Sequence, residues 1–324
     1  MIVKKREIPL IILKLQALLE RIRPGHIKVP EIKNDLSKRL AGYKGEKAVD
    51  YQLSFLPEDN FYILNDIRLN ESDRFFQMDS LLLNKYYMIK LEIKNIAGTI
   101  YFDSNFHQLI RELDGKETAF QDPIVQSLQH EKQLKRWLKK NMFSNIPIHS
   151  LVVISNSNTL IRTSPHDNKI LSNMVVNANY LPTKLQQIHN KYKKEIISEK
   201  EIKKIIRQLK KGHQELDQPI LKKFNIRKGD ILNGVICPSC SFLSMERLYG
   251  TWLCPKCQHK DKNAHLKAIK DYKLLYGSEI TNQHMRDFLC INSSALATRL
   301  LKSLDVSSTG SARDRIYNLD IKNK

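Results

Sequence analysis

The stretch that most constrains the fold is Phe75–Asn95, FFQMDSLLLNKYYMIKLEIKN. Two β-rich runs, Phe75–Leu83 and Tyr86–Lys94, are interrupted at Asn84-Lys85, which is the shape of a hairpin. Ile89, Leu91 and Ile93 alternate with Lys90, Glu92 and Lys94, so a strand here shows one apolar and one charged face. A two-residue turn at Asn84-Lys85 pairs Leu83 with Tyr86. It then sets Asp79 opposite Lys90 and Gln77 opposite Glu92, with Asp79 and Glu92 as diagonal neighbours about 7–8 Å apart. A slip of one residue would send Asp79 to the other face.

An aspartate followed by Glu-x-Lys on one face is a metal-hydrolysis pattern. A hard divalent cation such as Mg²⁺ takes oxygen ligands, which two carboxylates and a backbone carbonyl supply. The ion polarises a phosphodiester and activates a bound water, and a neighbouring lysine orients that water or stabilises developing charge. An exposed sheet face on which Asp79, Lys90, Glu92 and Lys94 only pair ionically would carry the same residues. Upstream, Leu40–Leu56 is helical in pattern, with Glu46, Val49, Asp50 and Leu53 at i, i+3, i+4 and i+7. Glu46 thus shares the core stripe and requires a partner or a metal. Downstream, Asp122–Leu138 forms a second amphipathic helix, with Ile124, Leu128, Leu134 and Leu138 turned inward and Gln126 and His130 one turn apart.

GYKGE, QMD, EIKN and DPIVQ, in that order, resemble the nuclease-related (NERD) domain, a branch of the PD-(D/E)xK nuclease superfamily. The resemblance covers Leu36–Ser155, under half of the chain. It implies that Glu46, Asp79 and Glu92 bind Mg²⁺ or Mn²⁺, that Lys94 serves the attacking water, and that Gln126 supports the site or contacts nucleic acid. The family's usual asparagine before the proline is Asp122 here, outside the catalytic set. Every acidic and basic position of the motif is filled, which argues for an intact site.

The formal net charge of +20 points to a polyanionic partner. Nucleic acid is the simplest, and a membrane surface competes with it. The N-terminal IPLIILKLQALL is interrupted by Lys14, lacks a small-residue cleavage site and suits an amphipathic helix rather than a signal peptide. No run reaches the ~18 apolar residues of a membrane span, so the expected location is cytoplasmic. Thr99–Asp103, the two arms flanking Asp114-Gly115, and Leu151–Ser155 read as strands. His107 and His130 read as structural or solvated groups, and SPHDN (Ser164–Asn168) as turn material. Thr183–Lys211 reads as one long basic helix with an apolar stripe, whose charged face suits either solvent or a phosphate backbone.

Cys237, Cys240, Cys254 and Cys257 form two CxxC knuckles, C-P-S-C and C-P-K-C, around a segment that alternates about Gly250. Four thiolates at this spacing fill a structural Zn²⁺ site, as in a zinc ribbon, and leave no open position for catalysis. After it come a helix at Asn263–Tyr276, a second capped by Thr281, a turn at Cys290–Asn292 and a third capped by Ser293. That order resembles a helix-turn-helix, and Val306–Asn318 a wing, with Arg299, Lys302, Arg313 and Arg315 as phosphate contacts. A small helical domain for protein contacts fits the same pattern.

The fold expected is therefore α/β: a restriction-endonuclease-like mixed-sheet core, a basic helical linker, a zinc ribbon and a small helix-turn-helix/winged-helix domain. The boundaries read as 1–35, 36–180, 181–232, 233–262 and 263–324. The function expected is a metal-dependent nuclease acting on DNA. The alternatives are a non-catalytic nucleic-acid-binding scaffold on a nuclease fold, and a membrane-associated adaptor using the basic N-terminal helix. No GxxxxGK[ST] loop is present, so any motor would be a separate chain.

Overall fold

The computed structural model describes residues 1–57, 61–143, 146–164, 168–311 and 314–320. The SPHDN residues 165–167 and Arg313 lie outside the described residues. The chain divides into two compact units: Met1–Ile8 with Lys38–Leu216, and Pro9–Ser37 with Asp217–Lys324.

The elements run β1 (Ile2–Lys4), α1 (Leu10–Arg21), α2 (Val29–Leu53), β2 (Tyr62–Glu71), β3 (Arg74–Leu83) and β4 (Met88–Lys94). Next come β5 (Thr99–Asp103), β6 (Gln108–Leu113), β7 (Lys116–Gln121), α3 (Pro123–Lys140), β8 (Ile148–Ile154) and β9 (Leu160–Thr163). Then follow α4 (Asn168–Met174), β10 (Val175–Asn177), α5 (Leu181–His189) and α6 (Glu199–Gly212).

In the first unit a mixed sheet has the order β1-β2-β3-β4-β8-β10, with β2, β3 and β4 antiparallel and β8 parallel to β4. Both faces are covered. Val49 and Leu53 of α2 and Leu181, Leu185 and Ile188 of α5 pack on Ile89, Leu91 and Ile93. Leu134, Trp137 and Leu138 of α3, with Ile202, Ile205 and Leu209 of α6, pack on Leu64, Ile67, Met78 and Leu81. The charged face of β4 is consequently not a solvated surface: Lys90 is 0% and Glu92 3% exposed. A second sheet, β7-β6-β5-β9, carries the hairpin at Asp114 and Gly115, both at positive φ (53° and 72°), as a two-residue turn demands.

The β3–β4 register differs from the expected one by two residues. Leu83 pairs with Met88 and Ser80 with Leu91, because Asn84–Tyr87 forms a longer loop. Asn84 Oδ1 accepts hydrogen bonds from the Tyr86 and Tyr87 amides and ties that loop together. A shift of two preserves the faces, and carried one residue further it places Asp79 directly opposite Glu92 instead of Lys90.

Two other expectations change. Leu128 is 40% exposed, and Trp137 supplies the apolar contact in its place. The basic stretch 183–211 is two helices, broken where Ser198 starts α6 with a capping box to Glu201. These helices pack on opposite faces of the sheet as parts of its core, not as a linker.

The second unit comprises α1, the start of α2, α7 (Ile220–Lys223), β11 (Glu246–Arg247), β12 (Trp252–Leu253), β13 (Lys260–Asp261), α8 (Ala264–Tyr276), β14 (Glu279–Thr281), α9 (Asn282–Leu289), α10 (Ser294–Lys302), β15 (Ser308–Thr309) and β16 (Ile316–Asn318). Arg21 of α1 is fully buried; its guanidinium donates to Asp271 of α8 at 2.8 Å and to the Leu232 and Gly234 carbonyls. Thr281 and Ser293 cap α9 and α10, and Cys290 makes the turn between them at φ 56°. The strands form small sheets of order β11-β12-β13 and β14-β16-β15. Among the described residues no helix is long and apolar enough to cross a membrane.

Candidate active site and metal centre

The acidic cleft is assembled from β1–β4, α2 and α3. Its first determinant is Gly45, the second glycine of GYKGE. A Cβ there would lie 2.5 Å from Asn95 Cβ and 2.5 Å from Ser155 Oγ, so only glycine lets α2 lie this close to the strand ends. The helix is further held by Asn95 Nδ2, which donates to the Ala41 carbonyl at 2.7 Å. This contact brings the next residue, Glu46, to the sheet.

The second determinant is a break in the β2–β3 ladder. Leu64 and Leu81 share a core with Ile67 and Met78, so the side-chain alternation inverts between them while the pairing register is kept. The inversion occurs at Asp66, a non-glycine residue at φ 52°, and at Asp79 beside it. Asp79 Oδ2 then accepts the Ile93 amide of β4 at 2.7 Å.

The third determinant is DPIVQ. Asp122 caps α3 by accepting from the Ile124 amide at 2.7 Å, with Pro123 opening the helix. One turn later Gln126 Oε1 accepts a hydrogen bond from Lys94 Nζ at 3.0 Å, and the same ammonium donates to Glu92 Oε1 at 2.9 Å. The structure thus joins Glu92, Lys94 and Gln126 directly.

Two further groups crowd Glu92 Oε2: Lys90 Nζ at 3.6 Å and His130 Nδ1, carried by α3, at 3.5 Å. Lys90 Nζ, Glu92 Oε2, His130 Nδ1 and the Ser127 hydroxyl are buried without a hydrogen-bond partner. His130, read from sequence as a bystander, is a neighbour of the central glutamate. His107 is exposed, in a turn at φ 52°.

The carboxylates feel one another. Burial, then the charge of Asp79, pushes Glu46 up to about 8. Burial and then Glu92 push Asp79 up to about 6, against the Ile93 amide, Lys94 and Arg6. Burial works in the same direction on Glu92, but the His130 ring, Lys94 and Lys90 outweigh it and draw that carboxyl down to about 2. Burial also lowers Lys90. Carboxylate oxygens are the donors that Mg²⁺ and Mn²⁺ prefer, and a cation would offset both the burial and the mutual repulsion that raise Glu46 and Asp79. The donor set fits such an ion.

Sequence reasoning missed Arg6. Its side chain, 1% exposed, donates to Glu46 and Asp66 through Nη1 at 2.9 and 2.7 Å, and to Asp50 through Nε at 2.9 Å. Nη2 reaches the Asp79 carbonyl at 3.0 Å and Ser80 Oγ at 2.8 Å. No local pattern marks a residue forty positions from its partner; the buried-stripe acids Glu46 and Asp50 signalled only that a cation was required.

In the second unit Cys237, Cys240, Cys254 and Cys257 converge with all four sulfur atoms within 4.8 Å of one another. The Cys237–Cys257 and Cys240–Cys254 separations are 3.7 and 3.6 Å, close to the ~3.8 Å edge of a tetrahedron with ~2.3 Å Zn–S bonds. The knuckles are shaped by hydrogen bonds donated by the Ser241 amide to the Cys237 carbonyl and by the Gln258 amide to the Cys254 carbonyl, with Ser241 and Gln258 at φ 57° and 59°. This cluster can hold a zinc ion. Among the described residues it is the one group of such ligands that converges; the acids of the cleft are instead spread along Arg6 and Lys94. Arg299 and Lys302 are exposed on α10, and Arg315 is half-buried.

A mixed sheet with Asp79 and Glu-x-Lys on adjacent antiparallel strands, flanked by a glutamate-bearing helix, defines a nuclease-like core. Residues 41–155 match the family model of the nuclease-related domain, NERD. No curated protein and no solved structure gives a significant match to the chain.

Proposed function

We propose that this protein is a metal-dependent nuclease that hydrolyses phosphodiester bonds in DNA. The observation that carries the reading is the Lys94 ammonium held between Glu92 Oε1 and Gln126 Oε1 beside Asp79. Glu46, Asp79 and Glu92 would hold Mg²⁺ or Mn²⁺, and the ion would supply Lewis-acid activation of the phosphodiester and of a water. Lys94 has three N–H donors and commits two to Glu92 and Gln126, so the third is aimed by the other two. It orients the attacking water or meets the charge growing on the phosphate. Gln126 fixes that aim from the rigid start of α3. Lys90 and His130 hold the far side of Glu92 and keep it ionised.

The second unit supports delivery to DNA. Its order of helix, strand, two helices and two strands is that of a winged helix, with Arg299 and Lys302 free on α10 to meet phosphates. The cysteine cluster belongs to the same unit. With the net charge of +20, binding should weaken steeply with salt.

The test is cleavage of plasmid and single-stranded DNA with Mg²⁺ or Mn²⁺, comparing wild type with Glu92→Ala. Metal-dependent cleavage that disappears in the variant is expected. Salt-dependent binding by both proteins with cleavage by neither would replace this reading with a non-catalytic scaffold.

A further inference from the structure

We infer that Arg6 is a positioning residue of the acidic cleft, a fixed cation that aims Glu46 and fills the place of a second divalent ion. The inference rests on the metal-dependent reading above. Arg6 lies outside the matched residues 41–155, brought in by β1, which pairs with β2 in parallel through Ile2–Ile63 and Lys4–Leu64. Lys4 anchors the approach by donating to the Asn65 carbonyl at 2.8 Å.

The guanidinium is used on every edge. Its five N–H groups meet three carboxylates, one carbonyl and one hydroxyl. Ser80 Oγ, one of those acceptors, donates its own hydrogen bond to Asn65 Oδ1 at 2.8 Å, so the fork geometry is braced from behind. A flat, five-donor cation suits this task and an ammonium does not.

The arrangement has two consequences for metal. Arg6 Nη1 donates to Glu46 Oε2 and so fixes one oxygen of that carboxylate. Glu46, Asp50 and Asp66 put three carboxylates on one side of the cleft, and each of them pairs with Arg6. The guanidinium sits among all three, so an ion on that side would have to displace it. The cleft is thus built for one divalent ion, between Asp79, Glu92 and Glu46, with Arg6 as the neighbouring charge.

The test is Mn²⁺ binding to the full-length, zinc-loaded chain, read as stoichiometry and affinity by calorimetry and by the paramagnetic resonance of free Mn²⁺. Wild type should bind one ion. Arg6→Gln, which keeps polarity but removes the charge, should bind two. Arg6→Lys should still bind one, with affinity reduced about tenfold because an ammonium cannot brace Glu46 and Asp66 together. Arg6→Lys, with near-UV circular dichroism as the fold control, decides the matter should Arg6→Gln fail to fold. Wild-type stoichiometry and affinity in Arg6→Lys, or in a folded Arg6→Gln, would overturn the inference alone. No Mn²⁺ bound by wild type would overturn the metal-dependent reading and this inference with it.

Discussion

The cysteine cluster and the acidic cleft solve the same problem, the gathering of like charges, in opposite ways. The cysteines come from two knuckles within Cys237–Cys257, each shaped by its own backbone turns, and their sulfur atoms converge on one point. The acids come from α2, β2, β3 and β4 and are kept apart by protein cations: Arg6 on one side, Lys94 and Lys90 on the other. A site with local ligands depends on spacing. A site with distributed ligands depends on strand register, helix approach and the groups between the ligands. The first arrangement suits structural metal and the second leaves room for chemistry.

The largest effect expected falls on the local site. Cys254→Ser should abolish zinc binding, since structural zinc contributes roughly 10–16 kcal/mol in zinc-finger peptides and is coupled to folding. Zinc content per chain should drop to near zero, and the fluorescence of Trp252, fully buried on β12, should shift to that of an exposed indole. Retention of a buried Trp252 without zinc would mean that the ribbon is held by its surroundings.

On the distributed site, Lys94→Ala should lower the cleavage rate by about 10²–10⁴-fold while DNA affinity stays near wild type. Affinity lost in proportion to rate would make Lys94 a binding residue instead.

A third test concerns pH. His265 lies buried against the ribbon, and its Nδ1 accepts the Trp252 indole N–H at 3.2 Å. Burial, then the Arg247 charge, pushes it down to about 4. The unfolded chain therefore binds the proton first, at an ordinary histidine value of about 6.5. The contribution to stability is complete above that pH and lost as pH falls from about 6.5 towards 4, on the order of 3 kcal/mol in all. Acid also releases zinc, so the informative quantity is the difference between wild type and His265→Gln. That variant should lack this part of the slope in urea-unfolding titrations.

The smallest effect expected is at Gly45. Gly45→Ala should destabilise the first unit by about 1–3 kcal/mol, because its methyl group meets Asn95 and Ser155. Cleavage should fall further than this loss predicts, since α2 must retreat and carry Glu46 with it. Urea unfolding beside activity separates the two, and unchanged cleavage would detach Glu46 from the site.

Much of this was legible because the signals were local. The two CxxC knuckles, the caps at Thr281 and Ser293, and the Asp114-Gly115 turn each depend on a few neighbouring residues. Those few residues fix backbone hydrogen bonding whatever the rest of the chain does. The Glu-x-Lys alternation was equally plain, and so was the face it shares with Asp79. The exact partner of Asp79 was not, because the length of the Asn84–Tyr87 loop is set by side-chain bonds from Asn84 that a turn dipeptide does not reveal. Nor did the composition of β4 disclose that α3 buries Lys90 and Glu92, since a charged stripe reads as solvated until something is placed over it.

The sequence by itself determined the candidate residues: four cysteines in order, three acids, one lysine and one glutamine, each on a recognisable element. Only the tertiary structure decided what surrounds them. Arg6 among Glu46, Asp50 and Asp66, and His130 and Lys90 against Glu92, join residues up to several tens of positions apart. Electrostatics acts through space, and a chain's order carries no record of which distant charges its sheet will bring within hydrogen-bond reach.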